Sequence, residues 1–422
     1  MFKNFVLPRN INSARSNFTL ATVLQLVEKG TSYIILAVLT RNLLKEDLGS
    51  MFYALSIASL VAVILNFGTD TYLIRSTATN PHNSLIHLSR TLSIRFIAIV
   101  IGFVLLNIVV WLIQPALSPV MLLASAYDFL EEAGHPFLSF FLGRKQVVYR
   151  LFIIGGLKIL TMPLIILIAI FSRALIPVLC GYVFISLLFI VACFWITSRN
   201  FGAIDLKWEP RVSAEILKAA FPFFLANTLN LMHMRFDTIL VGAMLNVREV
   251  ANYELGIKLV EAVRFMVRPF NMVFLPVFSE YFASHQIQKL RTRFLLLASI
   301  VFTAGIFLTI LMNIFGASII TVFFGDDYHA SILPTQILFI SVPFLFAGII
   351  ANIVANAAHQ EQKTVLVLLV AVLVNVGLNY ISIPQLGIIG AAWTTVVSQI
   401  ILTSGMFILV LPRLFIVSSD QQ

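Results

Sequence analysis

Charged residues are scarce in this 422-residue chain, at 11% of the total, and this scarcity excludes an ordinary water-soluble protein. A soluble domain carries about a quarter charged residues, because its surface faces water. Hydrophobic residues make up 59% of the chain, and the mean hydropathy is +0.97. One protein core cannot hide so many apolar side chains. Most of them must therefore face lipid.

Cysteines and motifs for enzymatic chemistry are also rare. The two cysteines, Cys180 and Cys193, fall in one apolar stretch and predict neither a disulfide framework nor a metal site. His233 and Asp237 share a helical face, but two side chains are too few to hold a metal ion. The sequence has no phosphate-binding loop of the Gly-x-x-x-x-Gly-Lys-Ser/Thr type, which argues against an ATP-driven pump. We therefore predict no catalytic residue, no metal and no cofactor.

Long apolar stretches recur along the whole chain, and each has the length that a helix needs to cross a bilayer. Helices are favoured over strands because every backbone polar group must be satisfied within the membrane segment. The sequence thus predicts an all-α polytopic membrane protein with about twelve transmembrane helices. The predicted spans are residues 17–40, 49–74, 92–114, 117–142, 148–171, 174–196, 216–245, 250–279, 294–316, 330–357, 363–384 and 387–412.

The basic residues predict the orientation, because cytoplasmic loops are enriched in Lys and Arg. With both termini in the cytoplasm, the outer loops hold only Arg41, Lys45, Arg173 and Arg248. The inner segments hold Lys3, Arg9, Arg15, Arg75, Arg90, Arg95, Arg144, Lys145, Arg150, Arg199, Lys207, Arg211, Lys218, Lys289, Arg291, Arg293, Lys363 and Arg413. The net charge of +9 is thus spread over many segments, so we do not expect nucleic-acid binding.

The polar connection over residues 198–215 divides the chain into two halves with six predicted spans each. We predict an N-terminal six-helix bundle over residues 1–205 and a C-terminal six-helix bundle over residues 206–422. A weak internal repeat supports this division, since Asp47 before the second span aligns with Glu249 before the eighth. Two halves in the same orientation are typical of transporters that bind substrate between parallel repeats.

The end of span eleven carries Asn375, Asn379, Pro384 and Gly387 before Gly390-Ala391-Ala392-Trp393. This is the most specific of several short stretches that resemble the polysaccharide-transporter family, which flips lipid-linked oligosaccharides such as O-antigen units and shares a superfamily with the MATE multidrug transporters and the lipid II flippases. Independently of any family, Gly390, Ala391 and Ala392 form a small helix face that lets neighbouring backbones approach. The other stretches are Leu39-Thr40-Arg41-Asn42-Leu43, Asn66-Phe67-Gly68, Asp237-Thr238-Ile239-Leu240-Val241-Gly242, Leu275-Pro276-Val277-Phe278-Ser279 and Phe323-Phe324-Gly325-Asp326-Asp327-Tyr328.

This resemblance implies a MATE-like fold and a flippase that moves a polyprenyl-diphosphate-linked oligosaccharide from the cytoplasmic to the outer leaflet. It also implies a central cavity lined partly by spans 1, 2, 7 and 8. The expected partners are the lipid-linked oligosaccharide, membrane lipid, and the polymerase and chain-length proteins of the outer face. A multidrug antiporter of the same fold is the nearest alternative, and a membrane glycan polymerase is a more distant one.

Apart from Arg95, Arg150, Lys218 and Lys363 at the cytoplasmic ends of spans, fourteen charged residues fall within the predicted spans. Their cost in lipid requires that most of them pair or line a wet cavity. Cations suit a diphosphate, so the predicted substrate-binding residues are Lys29, Arg235, Lys258, Arg264 and Arg268. The predicted ion-coupling residues are Glu28, Asp70, Asp237, Glu254 and Glu261. Two structural alternatives remain: Lys258 pairs with Glu254 and Glu261 on its own helix, and Lys158 pairs with Glu131 or Glu132.

Overall fold

A computed structural model describes residues 30–415, which form helices joined by short connections, and no strand occurs within that range. Residues 30–42 are helical and belong to α1. The N-terminal helices that follow are α2 (Lys45–Asn66), α3 (Thr69–Thr79), α4 (Ser84–Ile113), α5 (Ser118–Gly143), α6 (Val147–Ser172) and α7 (Leu175–Phe201). The remaining helices are α8 (Pro210–Met244), α9 (Val247–Ala283), α10 (Ile287–Phe324), α11 (Ile332–Phe339), α12 (Val342–Ala357), α13 (Glu361–Leu386) and α14 (Ile388–Phe415).

The helices coincide with the apolar stretches, so the predicted all-α polytopic fold is confirmed. Eight helices in the described range are long and apolar enough to cross a membrane, and the bent α11–α12 pair makes a ninth. The second predicted span contains α2 and α3, and the tenth contains α11 and α12. The fourth and eighth spans are α5 and α9, which carry many of the intramembrane charges. The first predicted span begins outside the described residues.

Large apolar side chains cover the outer surface of the helices. Ile113 of α4 is 72% exposed and Phe171 of α6 is 83% exposed, and similar residues recur along α7 and α10. Water would oppose such exposure along whole helices, whereas a hydrocarbon environment favours it. The chain is therefore a multi-pass membrane protein.

The chain divides into two compact units between Thr228 and Leu229, inside α8. The described part of the first unit contains α1 to α7 and the beginning of α8, and the second unit contains the rest of α8 and α9 to α14. The boundary at residue 205 that we drew from the polar connection stays a prediction.

Small residues bring backbones together in each unit. In the first unit Gly68 separates α2 from α3 with φ of 72°, and a Cβ added there would lie 2.4 Å from the backbone nitrogen of Phe224. The ring of Phe67 stacks on Phe224 at a centroid distance of 4.4 Å. In the second unit a Cβ at Gly390 would lie 2.4 Å from the carbonyl oxygen of Ser382. The small face predicted around Gly390 thus permits close packing of α13 and α14.

Candidate functional site: two buried clusters of charged side chains

The first cluster lies in the second unit and joins α8 to α9. Arg235 of α8 places its two terminal nitrogens 3.3 Å from carboxylate oxygens of Glu254 and Glu261. Lys258 lies between these acids on α9, with Nζ 3.7 Å from Glu254 Oε2 and 3.1 Å from Glu261 Oε2. The predicted pairing of Lys258 on its own helix is therefore confirmed. We call these four residues the α8–α9 cluster.

The spacing along α9 explains why this cluster forms. Residues three and four positions apart lie on one helical face, so Glu254, Lys258 and Glu261 meet without any distortion of the backbone. Glu254 is fully buried and also accepts a hydrogen bond of 2.5 Å from Thr238 Oγ1. Arg235 adds a contact from the neighbouring helix. Two cations and two carboxylates cancel each other's charge, which makes the cluster tolerable in a low-dielectric interior.

Two further arginines follow on α9 and lack such compensation. Arg264 is partly buried and Arg268 is exposed, and they lie four residues apart. Among the described side chains neither forms an ion pair with a carboxylate, although the charge of Glu261 still acts on Arg264. Since Arg235 and Lys258 already balance Glu254 and Glu261, Arg264 and Arg268 add an excess of positive charge to α9.

Asp237 lies two residues after Arg235 on α8, but its hydrogen bonds form a separate network of neutral donors. Asn379 Nδ2 donates to Asp237 Oδ1 at 2.6 Å. Tyr253 Oη and Thr395 Oγ1 donate to Asp237 Oδ2 at 3.1 and 2.5 Å. Asn375 extends the network, since its Oδ1 accepts a hydrogen bond from Asn379. The sequence analysis found Asp237 but missed these neutral partners, because it considered ionisable side chains alone.

The second cluster lies in the first unit and has Arg95 at its centre. Arg95 is 1% exposed, and its Nη2 lies 2.7 Å from Asp70 Oδ1 while its Nη1 lies 2.7 Å from Glu132 Oε1. Thr69 Oγ1 accepts from Arg95 Nε and from the same Nη2, both at 3.1 Å. His135 places Nδ1 3.2 Å from Glu132 Oε2. With Asn66, these residues are the Arg95 cluster.

Pro136 explains the remaining contact of Arg95. Proline has no backbone N–H, so in a helix it leaves the carbonyl four residues earlier without a donor. Here that carbonyl belongs to Glu132, and Arg95 Nη1 donates to it at 2.6 Å. One guanidinium therefore contacts the backbone of α5 before Pro136, the start of α3 and two carboxylates.

We counted Arg95 with the basic residues of the cytoplasmic segments and did not predict its ion pairs. Its side of the membrane stays a prediction. The residue lies inside α4 and is almost completely buried. Two signals could have revealed it: span four carries three acidic residues that need a cation, and Pro136 follows Glu132 by four positions. Both point to a donor from a neighbouring helix.

Some predicted residues are not tested by these contacts. Glu28 and Lys29 lie outside the described residues, and so does the side chain of Lys158. The pairing of Lys158 stays a prediction, although the observed partners of Glu132 are Arg95, His135 and Asn66. Glu131 accepts a hydrogen bond of 3.3 Å from Ser186 on α7.

Solved structures with the same fold are membrane transport proteins. One described as the inward-facing conformation of a multidrug resistance MATE family transporter of the MOP superfamily has a TM-score of 0.69 and 13% identity, over 95% of this chain and 96% of that chain. The lipid II flippase MurJ in an inward closed conformation has a TM-score of 0.69 and 13% identity, over 96% and 93%. A MOP superfamily transporter from Pyrococcus furiosus, described as having a binding pocket of reverse polarity, has a TM-score of 0.61 and 13% identity, over 95% and 96%. At such identities the similarity establishes the fold alone.

Sequence comparison identifies the family. No curated protein matches the chain. The sequence profile described as Polysaccharide biosynthesis protein, however, matches residues 14–282. This match covers more than half of the chain and includes the Arg95 cluster, the α8–α9 cluster and both unpaired arginines. The chain therefore belongs to the family of polysaccharide biosynthesis proteins.

Proposed function

We propose that this protein is a flippase that moves a polyprenyl-diphosphate-linked oligosaccharide from the cytoplasmic to the outer leaflet of the bacterial inner membrane. One observation carries the proposal: Arg264 and Arg268 form no ion pair with a carboxylate among the described side chains, although they lie on a helix of the membrane domain. Unpaired charges in that position are costly and are kept for function. A bound anion would remove the cost.

The diphosphate of a lipid-linked sugar has the matching chemistry. It carries about two negative charges, and a guanidinium binds phosphate oxygens through two parallel hydrogen bonds. Arg264 and Arg268 lie on successive turns of α9, so both side chains can reach one headgroup. Arg235 and Lys258, which we also predicted to bind substrate, are neutralised by Glu254 and Glu261. In the proposed mechanism they support the position of α9, while Arg264 and Arg268 contact the diphosphate.

The membrane potential gives the movement a direction. Moving one charge through 100 mV is worth about 2.3 kcal/mol. Because the cytoplasm is negative, a headgroup with two negative charges favours the outer face by about 4–5 kcal/mol. The polyprenyl tail remains in lipid throughout, so only the diphosphate and the glycan need a polar path.

The charge on α9 also argues against the nearest alternative. A multidrug antiporter must bind organic cations, which the excess positive charge of Arg264 and Arg268 repels. The fold does not separate the two functions, because the MATE transporter and MurJ resemble this chain with equal TM-scores. The family match to polysaccharide biosynthesis proteins supports the flippase.

The test is a deletion strain that expresses the double variant Arg264→Ala/Arg268→Ala. We expect loss of surface polysaccharide, by tenfold or more, and accumulation of lipid-linked oligosaccharide in the membrane, because the headgroup loses its counter-charge. Immunoblotting of the polysaccharide and extraction of the lipid-linked intermediate measure the two quantities. The double variant Arg264→Lys/Arg268→Lys keeps the charge and should restore part of the polymer.

Arg248→Ala is the matched control, because this exposed arginine lies in the first turn of the same helix. It should leave polysaccharide and protein abundance near the parental values. Normal polysaccharide in the Arg264→Ala/Arg268→Ala strain would contradict the assignment of these arginines. Normal polysaccharide in the deletion strain, together with greater sensitivity to cationic dyes, would overturn the flippase proposal and favour the antiporter.

The proposed direction requires both termini in the cytoplasm and delivery of the product to polymerase and chain-length proteins at the outer face. Single cysteines placed near Arg144 and near Lys207 should react with a membrane-impermeant maleimide only after the cells are opened. A cysteine near Asp326 should react in intact cells. Labelling of the Arg144 and Asp326 sites from the same side would refute this topology.

A further inference from the structure

The Arg95 cluster contains unequal numbers of positive and negative groups. Asp70 and Glu132 each carry a negative charge, and Arg95 supplies one positive charge. The three groups therefore retain one negative charge in a buried position, where an uncompensated charge is costly. Among the described side chains, which do not include that of Lys158, the one further ionisable group in ion-pair contact with these three is His135, whose Nδ1 lies 3.2 Å from Glu132 Oε2.

We propose that the N-terminal unit binds and exchanges one proton on the His135–Glu132 pair. A proton from water adds to the imidazole, and the resulting imidazolium donates through Nδ1 to Glu132 Oε2. The proton leaves by the same route when the imidazole is deprotonated. The His135 side chain is 42% exposed, whereas Arg95 is 1% exposed and fixed within the cluster. This proton site goes beyond the proposed flippase function and does not depend on it.

Asn66 contacts both carboxylates without changing the charge of the cluster. Its Nδ2 donates to Asp70 Oδ2 at 2.8 Å and to Glu132 Oε1 at 2.6 Å. An amide is neutral, so it satisfies carboxylate oxygens but supplies no positive charge. The excess negative charge of the cluster therefore remains to be balanced by His135.

The charges around His135 come from every side of α5. Asp128, Glu131 and Glu132 lie on its own helix, and Glu131 accepts from Ser186 of α7. Asp70 of α3 and Arg95 of α4 complete the charged neighbours, while α2 contributes the neutral Asn66. The described side chains of α6 and α7 bring no charge into contact with the imidazole. The surroundings are therefore net negative and stabilise an imidazolium.

The same three side chains could suggest a metal ion, because ligand atoms of Asp70, Glu132 and His135 lie within 4.8 Å of one another. The guanidinium of Arg95, however, already contacts both carboxylates at 2.7 Å. A divalent cation would have to displace that charge or bind directly beside it, and either arrangement is strongly unfavourable. A proton on His135 balances the cluster without displacing Arg95.

Nuclear magnetic resonance of the purified full-length protein in lipid nanodiscs tests this proposal. The chain has seven histidines, so labelling with ¹⁵N- and ¹³C-histidine gives few signals, and His135→Gln identifies the one that belongs to His135. We expect an imidazolium signal for His135 at pH 7, a neutral imidazole at high pH, and full reversal when the pH is lowered again. In Glu132→Gln the signal at pH 7 should become that of neutral imidazole, because the anionic partner is lost.

Glu131→Gln is the matched control, because it removes an adjacent carboxylate that hydrogen-bonds to Ser186 instead. Its His135 should remain an imidazolium at pH 7. A wild-type His135 that is neutral at pH 7 overturns the proposal, and this measurement needs no variant that might misfold. A shift of the His135 signal upon addition of one equivalent of Zn²⁺ would assign a metal site instead. Neither result bears on the flippase test, because no lipid-linked substrate is present.

Discussion

Replacing Arg95 with methionine is expected to destabilise the protein by about 3–5 kcal/mol. The variant keeps an apolar side chain of similar length but leaves Asp70 and Glu132 without their shared cation. The Glu132 carbonyl, which Pro136 deprives of a helical donor, also loses its partner. The measurement is the temperature at which half of the purified protein is unfolded. That temperature is found from the fraction of the protein that remains monodisperse after heating.

Arg90→Met is the control on the same helix. Arg90 contacts Glu209 at 3.4 Å, but the two side chains are 32% and 45% exposed, so the loss should be only about 0–1 kcal/mol. Combining Arg95→Met with Asp70→Asn and Glu132→Gln should recover most of the stability, because no buried charge then lacks a partner. Equal midpoints for Arg95→Met and Arg90→Met would disprove the central structural role of Arg95.

Gly68→Ala is the second substitution for which we expect a large effect. Its Cβ would lie 2.4 Å from the backbone nitrogen of Phe224 and 2.6 Å from the carbonyl oxygen of Ala220. Backbone atoms of a helix cannot move aside as a flexible side chain can. Overpacking of this kind costs about 1–3 kcal/mol, and the left-handed conformation adds about 1 kcal/mol for alanine. The unfolding midpoint should therefore fall clearly, with a loss of about 2–4 kcal/mol.

Gly377→Ala separates the clash from the general effect of replacing glycine. Gly377 lies inside α13, and a Cβ there would meet no atom within 4 Å. Alanine favours helix over glycine by about 1 kcal/mol, so this control should be neutral or slightly more stable. If Gly68→Ala is as stable as Gly377→Ala, the close approach of α3 to α8 does not constrain the first unit.

The sequence was sufficient to predict a polytopic helical membrane protein, because the length of an apolar stretch reflects the thickness of the bilayer. Eight or nine of the twelve predicted spans correspond to described helices that are long and apolar enough to cross a membrane, and the charged helices α5 and α9 are not among them. Breaks within a span were not predicted. Residues 49–74 read as one continuous helix, yet Phe67 and Gly68 adopt positive φ and separate α2 from α3. Hydropathy averages over many residues and is insensitive to one or two backbone angles. Only Gly68 itself marked the position, and an isolated glycine in a helical pattern is a weak signal.

For the charged residues, prediction succeeded where partners are close in sequence and failed where they are distant. Lys258 and its acids lie on one helix, and helical periodicity alone brings them together. Arg95 and Glu132 lie on different helices, and their contact depends on how α4 packs against α5. Periodicity contains no information about that packing. Asn375 and Asn379 were not predicted as partners of Asp237 for a further reason. A neutral amide needs no counter-charge within a span, so its presence does not indicate a buried carboxylate nearby.

The α8–α9 cluster also has a consequence for biogenesis. A single charge at the centre of a helix raises the free energy of insertion by about 2.5–3.5 kcal/mol, and α9 carries several between Glu254 and Arg268. The helix therefore cannot enter the bilayer favourably from the translocon by itself. Arg235 of α8 neutralises part of its charge, and only residues 245 and 246 separate the two helices. Such a short connection makes α8 and α9 a helical hairpin, which enters the membrane as one unit with its ion pairs already formed.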